Sequence, residues 1–225
     1  MDSPASASRS SPHPRRRHAF TLIELMVVIA IIAILLVVLV PAISSLSKSG
    51  GRKAAIGSLL GAIEQARVQA IKDGQATYVV FPTFSNATPA TLDRYHYKSF
   101  AIFEDDSANS VLKQLTAWKT LPTGVALRAA GAGSLTSLPD LATLTPPSVP
   151  TFTPDTGATP VFHCIKFNSS GEVEAPPSQV TVSVFEGHVD GAAEVITSSK
   201  DANGNPAAMD SLRIARLTGR AEAVP

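Results

Sequence analysis

FTLIELMVVIAIIAILLVVLV, residues Phe20 to Val40, is the stretch that decides how this chain is built. Of its twenty-one side chains only Glu24 is ionisable. At ~1.5 Å of rise per residue the run makes a helix roughly 30 Å long, the thickness of a bilayer's hydrocarbon core. It can therefore cross a membrane, and no other stretch of the 225 residues is comparably apolar. Arg15-Arg16-Arg17-His18-Ala19 stands in front of it. Three arginines on the near side, against Lys48, Arg52 and Lys53 on the far side, favour an N-terminus kept in the cytoplasm and a C-terminal remainder facing outward.

Three readings compete for such a helix. A secretory signal peptide has a shorter apolar region, about 7–15 residues, and a small-residue cleavage site, which Pro41-Ala42-Ile43-Ser44 matches poorly. A plain anchor fits the length but gives Glu24 no role, although a carboxylate costs ~2.5–3.5 kcal/mol at the centre of a membrane helix and less near its end. A chain cut between Ala19 and Phe20 supplies the role. Its new amine lies four residues from Glu24 and can neutralise the carboxylate of a neighbouring copy inside an apolar bundle.

Together the basic run ending in Ala19, the segment Phe20-Thr21-Leu22-Ile23-Glu24-Leu25, the Val/Ile/Ala/Leu helix and Pro41 resemble the class III signal of type IV pilins and type II secretion pseudopilins. That resemblance implies a prepilin peptidase that cuts after Ala19 and N-methylates Phe20. It implies a single-pass helix held first in the inner-membrane lipid bilayer, then passed by an inner-membrane assembly platform into a filament of other pilins or pseudopilins. Glu24 falls at the family's glutamate position and Pro41 at its helix kink. Where the family usually has glycine before the cut, this chain has the small residue Ala19.

Composition agrees with one outward domain behind one membrane helix, with 44% hydrophobic and 16% charged residues. The leader, 1–19, is Ser/Pro/Ala-rich before its arginines and reads as a discarded segment. It carries four of the nineteen basic and one of the eighteen acidic residues, which leaves the remainder at a net charge of −2. No overall basic field argues for nucleic acid. Cys164 is the single cysteine, so no internal disulfide forms, and its apolar neighbours Val161, Phe162 and Ile165 mark it as a buried small hydrophobe.

Helical character continues over 41–74, with a bend expected at Pro41 and a weakening at Gly50-Gly51. Ile56, Leu59, Leu60, Ile63, Arg67, Ala70 and Ile71 recur every three or four residues, an amphipathic stripe made to lie on a sheet. Gly74 is placed to end it. Residues 75–225 then read as an outward β-rich domain. Strands are expected at Thr77 to Pro82, Tyr95 to Phe103, Val161 to Phe167, Gln179 to Phe185 and Ser211 to Leu217, with short ones at Trp118 to Pro122 and Val125 to Arg128. Residues 129–160, rich in Ala, Gly, Ser, Thr and Pro, read as a low-complexity surface insertion. The expected fold is α+β, a long helix packed on an antiparallel sheet.

A second resemblance covers the C-terminal third. Ile165-Lys166-Phe167-Asn168-Ser169-Ser170-Gly171, the strand QVTVSVF, and Leu212 through Thr218-Gly219-Arg220 are similar to the ending of the GspH/FimT minor pseudopilins and minor pilins, as is Ala66-Arg67 with Ala70-Ile71. No likeness is visible between 82 and 160. Some FimT-like members take part in DNA uptake, so Arg213, Arg216 and Arg220 are candidate phosphate contacts. Three arginines without interleaved aromatics more simply form a solvated strand face.

Catalytic and metal chemistry finds little support. Glu186, His188 and Asp190 alternate along an extended segment as three ligands for zinc would, yet such a row is more often a solvated face. Asp201-Ala202-Asn203-Gly204-Asn205-Pro206 spaces oxygens like a calcium loop but lacks the closing acidic residue, and Asn-Gly and Asn-Pro are turn formers first. His163 and Cys164 are strand neighbours, which point to opposite faces. The expectation is a structural subunit with no cofactor and no metal, not an enzyme, with a DNA-binding minor pilin or a simple anchored periplasmic domain as the alternatives.

Overall fold

The computed structural model describes residues 22–84, 94–106, 111–143 and 160–224, without the side chains of 37–49 and of Thr143. The leader with Ala19, then Phe20, and residues 144–159 of the Ala/Gly/Ser/Thr/Pro-rich stretch lie outside them. The chain divides into two units at Ser44 and Ser45.

The described residues of the first unit are helical. One helix, α1, spans Leu22–Asp73 and so continues into the second unit. Over 22–36 its described apolar side chains are exposed on every side, Leu22 at 77%, Ile29 at 57% and Leu36 at 51%. Among the described residues no helix is long and apolar enough to cross a membrane, the described side chains of the run ending at Leu36.

The expected weakening at Gly50-Gly51 does not interrupt the helix, which is also unbroken at Pro41. A proline removes one bond of the helical ladder and leaves the others, while two glycines cost about 2 kcal/mol against alanine. Gly51 also has a packing reason, because a Cβ there would stand 3.2 Å from Val125 Cγ2.

Among the described residues of the second unit eleven strands follow in order: β1 Thr77–Phe84, β2 Ser99–Asp106, β3 Val111–Gln114, β4 Lys119–Thr120, β5 Val125–Leu127, β6 Pro160–Phe167, β7 Val173–Ala175, β8 Val180–Asp190, β9 Ala193–Ile196, β10 Met209–Ile214 and β11 Ala221–Val224. All pair antiparallel. One sheet runs β3-β2-β1-β6-β7 with β4 beside β2; the other runs β11-β10-β8-β5 with β9 beside β8. The α+β class expected from the sequence is the one observed.

The amphipathic stripe explains the main core. Ala55, Ile56, Leu59, Ala62, Ile63, Ala66 and Ala70 of α1 are buried with Val79 and Phe81 of β1, Ile165 and Phe167 of β6, Val182 and Val184 of β8, and Leu212 and Ile214 of β10. Each large buried side chain contributes roughly 1.5–3 kcal/mol, and the alanines let the helix approach the sheets. Ile71 departs from the expected stripe, being 46% exposed. A second cluster fills the other face of the first sheet, where Tyr78, Val80, Phe103, Phe162 and Cys164 meet Leu141. Covered on both faces, β1 is buried throughout, which accounts for a run of apolar residues without alternation.

Several strand limits shift for local reasons. β1 passes through Pro82 because the Pro82 carbonyl accepts from Tyr97 N–H at 3.4 Å, so the missing N–H also faces that side and not the β6 ladder. β2 starts at Ser99, four residues late, because Tyr95–Lys98 turn, with Tyr97 at φ 52°. β10 stops at Ile214, where Arg216–Thr218 reverse the chain and Gly219 N–H donates to Ala215 O at 2.8 Å.

The surface reading of 129–160 fails over its described part. Leu135 and Leu141 are fully buried and Leu138 is 5% exposed. Two 3₁₀ turns, Leu135–Ser137 and Leu141–Thr143, aim those leucines inward, and Cys164 N–H donates to Pro139 O at 3.1 Å along the edge of β6. Small residues permit the tight turns, so low complexity here marks compactness and not exposure.

Candidate functional site

At the N-terminal end, Glu24 occupies the first described turn of α1. A carboxylate there faces the helix's unsatisfied N–H groups and the positive end of its dipole. Around it Ile23, Leu25, Met26, Val27 and Val28 are all exposed. A helix apolar on all sides is one built to be covered by lipid or by other helices. Pro41 lies in α1 among residues whose side chains are not described, and the cleavage pair Ala19 and Phe20 lies outside the described residues.

A second place lies in the outward unit, where three separate stretches of sequence converge. Arg67 of α1 donates from Nε to the Thr218 carbonyl at 2.6 Å. Gly171 stands against Ile71 and Arg67, and Gly219 stands against the Gly171 carbonyl and Arg67. Ala221 N–H, the start of β11, donates to Glu64 Oε1 at 3.3 Å. Both glycines have positive φ, 79° and 62°, and both sites are too close for a Cβ. The Asn168–Gly171 turn and the Thr218-Gly219-Arg220 turn are thereby locked onto one helical turn of α1. Gly219→Val is expected to cost about 3 kcal/mol, combining left-handed strain with the clash. Urea denaturation reads it; a loss below about 1 kcal/mol would dismiss the lock.

Buried and half-buried ion pairs that sequence reasoning missed fasten the same unit. Arg52 pairs with Glu186 and, at 2.9 Å, with Asp210, tying α1 to β8 and β10. Arg128 pairs with Glu194 at 2.8 Å, their side chains 3% and 9% exposed. Partners 134, 158 and 66 residues apart leave no periodic trace in a sequence.

The remaining candidates disperse. Glu186 is engaged by Arg52, while His188 and Asp190 are exposed, and among the described residues no three His, Cys, Asp or Glu groups gather as metal ligands. Asp201 closes its own turn, accepting from Asn203 and Asn205 N–H at 2.9 and 2.8 Å, and the Asn205 bond first of all lowers its carboxyl pKa. His163 Nδ1 lies 2.9 Å from Asp140. Cys164, on the opposite face, is fully buried and its thiol is pushed up to about 12, chiefly by burial. Arg213, Arg216 and Arg220 are exposed around the β10–β11 turn, and Arg213 lies 4.0 Å from Glu222. They lie around one turn.

An exposed apolar helix with a glutamate in its first turn, leading into a helix-on-antiparallel-sheet domain, defines a pilin-like subunit. Consistent with that class, the prokaryotic N-terminal methylation motif matches residues 14–40. The chain belongs to the GspH family of type II transport proteins, whose model matches residues 55–202. No curated protein and no solved structure matches it significantly. The family match runs through 82–160, where the sequence showed no likeness, and ends before Thr218-Gly219-Arg220. GspH-type pseudopilins are structural subunits; membership implies an envelope location with a periplasmic domain, processing by a prepilin peptidase, and assembly with other pilins or pseudopilins.

Proposed function

We propose that this protein is a minor pseudopilin of a type II secretion pseudopilus or a closely similar pilus-like filament. The leader is removed after Ala19, Phe20 becomes the N-methylated first residue, and residues 20–40 serve first as an inner-membrane tether and then as the assembly helix. The observation that carries this reading is that the described side chains of 22–36 are exposed on every face of the helix and, but for Glu24, apolar. Such a surface needs a cover. Lipid tails and neighbouring helices are about equally apolar, so moving from one to the other gains little by burial. Register must come from something polar.

Glu24 supplies it by pairing with the Phe20 amine of a neighbouring subunit. One charge-assisted contact forms per subunit, and in an apolar bundle the loss of either partner strands the other at a cost of about 3–5 kcal/mol. Glu24→Ala is expected to leave leader cleavage intact and to lower incorporation into sheared filaments several-fold. Normal incorporation of that variant would remove Glu24 from the mechanism. Residues 45–225 form the outward domain of the assembled subunit.

A further inference from the structure

Two acid groups meet where α1 runs into the first sheet. Glu104 of β2 is only 8% exposed, and its carboxyl lies within hydrogen-bonding reach of Asp73, the last residue of α1. Directly paired residues of antiparallel strands share a face, so Glu104 stands between Thr77 of β1 and Lys113 of β3. That face is the inner one. Val79 and Ile102, two residues along β1 and β2 from Thr77 and Glu104, belong to the core that α1 covers. Apolar packing therefore flanks the acid pair on one side, and water reaches it on the other, where the Asp73 side chain is 31% exposed.

The neighbouring elements do little to steady two negative charges there. Thr77 is fully buried and its hydroxyl meets no hydrogen-bond partner among the described residues, so the β1 side chain gives Glu104 no donor. Lys113 Nζ stands 3.9 Å from Glu104 and Lys72 Nζ 3.7 Å from Asp73, on side chains 67% and 70% exposed. Ion pairs with one partner so exposed are weak. Gln69 of α1 donates from Nε2 to Asp73 and not to Glu104, and Asp106, two residues further along β2, adds a third acid on the same side of the strand. Burial first, then the hydrogen bond and charge of Asp73, push the Glu104 carboxyl above the usual carboxylate range, while Lys113 and Lys72 oppose the shift. A proton between the two groups removes the repulsion and makes a hydrogen bond.

We propose that Glu104 and Asp73 form an acid-strengthened clasp, in which a shared proton fastens the end of α1 to β2 and which loosens as the surroundings turn neutral or alkaline. Because the folded chain holds this proton more tightly than the unfolded chain, the gain is complete below the ordinary glutamate value, about pH 4.3. It is lost as pH rises through the raised folded value. The test compares urea midpoints of full-length protein in detergent micelles, wild type against Glu104→Gln, from about pH 5 to about pH 8. The glutamine amide donates where the shared proton did and carries no charge. The two midpoints should lie closest near pH 5 and part as pH rises, the variant ending higher by roughly 0.5 M urea. A Glu104 that serves only as the partner of Lys113 gives the opposite sign, the variant being the less stable at the alkaline end. That result overturns the proposal, as does a difference that ignores pH. Asp73→Asn should raise the alkaline midpoint too, and no rise overturns the proposal even if Glu104→Gln fails to fold. Both changes relieve one repulsion, so the double variant should gain less than the sum of the two; full additivity counts against the clasp. A wild-type midpoint that rises with added calcium or magnesium, while that of Glu104→Gln does not, would put a metal ion in the proton's place and overturn it as well. The readout is taken on unassembled protein, so failure here leaves the assembly reading standing.

Discussion

Ala19→Lys is expected to leave the precursor entirely uncut. If the cut falls where proposed, the peptidase must bring the Ala19–Phe20 peptide bond into its site at the membrane surface, where the family usually has glycine and this chain has a methyl group. A lysine puts a long, strongly hydrated cation next to the scissile bond and extends the arginine cluster up to the first apolar residue. The change acts on recognition, so the outcome is close to all or none, whereas Glu24→Ala grades the later assembly step. N-terminal sequencing of protein recovered from its native cells reads both forms, wild type starting at Phe20 and the variant at the precursor's own start. A mature-size product from the variant would place the cut elsewhere and reduce residues 20–40 to an ordinary anchor.

Glu194→Ala is expected to cost about 3–5 kcal/mol, the usual result of stranding one member of a buried ion pair. Glu194 Oε1 accepts from Arg128 Nε at 2.8 Å and from the backbone N–H groups of Ala129 and Ala130 at 2.7 and 3.1 Å. Removing it leaves a guanidinium on a side chain only 3% exposed, with Met209 sulfur and Asn205 as its remaining named neighbours, and frees two backbone donors. Glu194→Gln retains an oxygen acceptor and loses only the charge, so its loss should be smaller. Urea denaturation of the full chain in detergent separates the two variants. A loss below about 1 kcal/mol for Glu194→Ala would mean that water takes over the carboxylate's work.

The β9 edge strand that carries Glu194 illustrates what a sequence hides. Ala193–Ile196 is four residues long and alternates in burial, too short to raise a periodic signal, and β3, β7 and β11 were missed for the same reason. The opposite error arose at 129–143. Its Ala, Gly and Ser content reads as loop, but Gly133 sits where a side chain would overlap Ser183 and Gly131 where one would crowd Arg128, so small residues there mark close approach. The resemblance at Ala66-Arg67, Gly171 and Thr218-Gly219-Arg220 was legible piece by piece. That Arg67, Gly171 and Gly219 touch was not, since nothing in their spacing relates a helix to two turns about 100 and 150 residues further along.

By itself the sequence determined the parts that depend on neighbours along the chain. These are the apolar helix with its single glutamate, the basic leader before it, the amphipathic stripe that follows, the long strands and the α+β class, all set by the period of burial and by local backbone chemistry. Only the tertiary structure decided which distant groups meet: Arg52 with Glu186 and Asp210, Arg128 with Glu194, and the two glycine turns on α1. The reason is physical. Helices and strands form by contacts repeated every few residues, whereas a buried charge or a cavity wall is completed by whichever segment the packing of two sheets and a helix brings alongside.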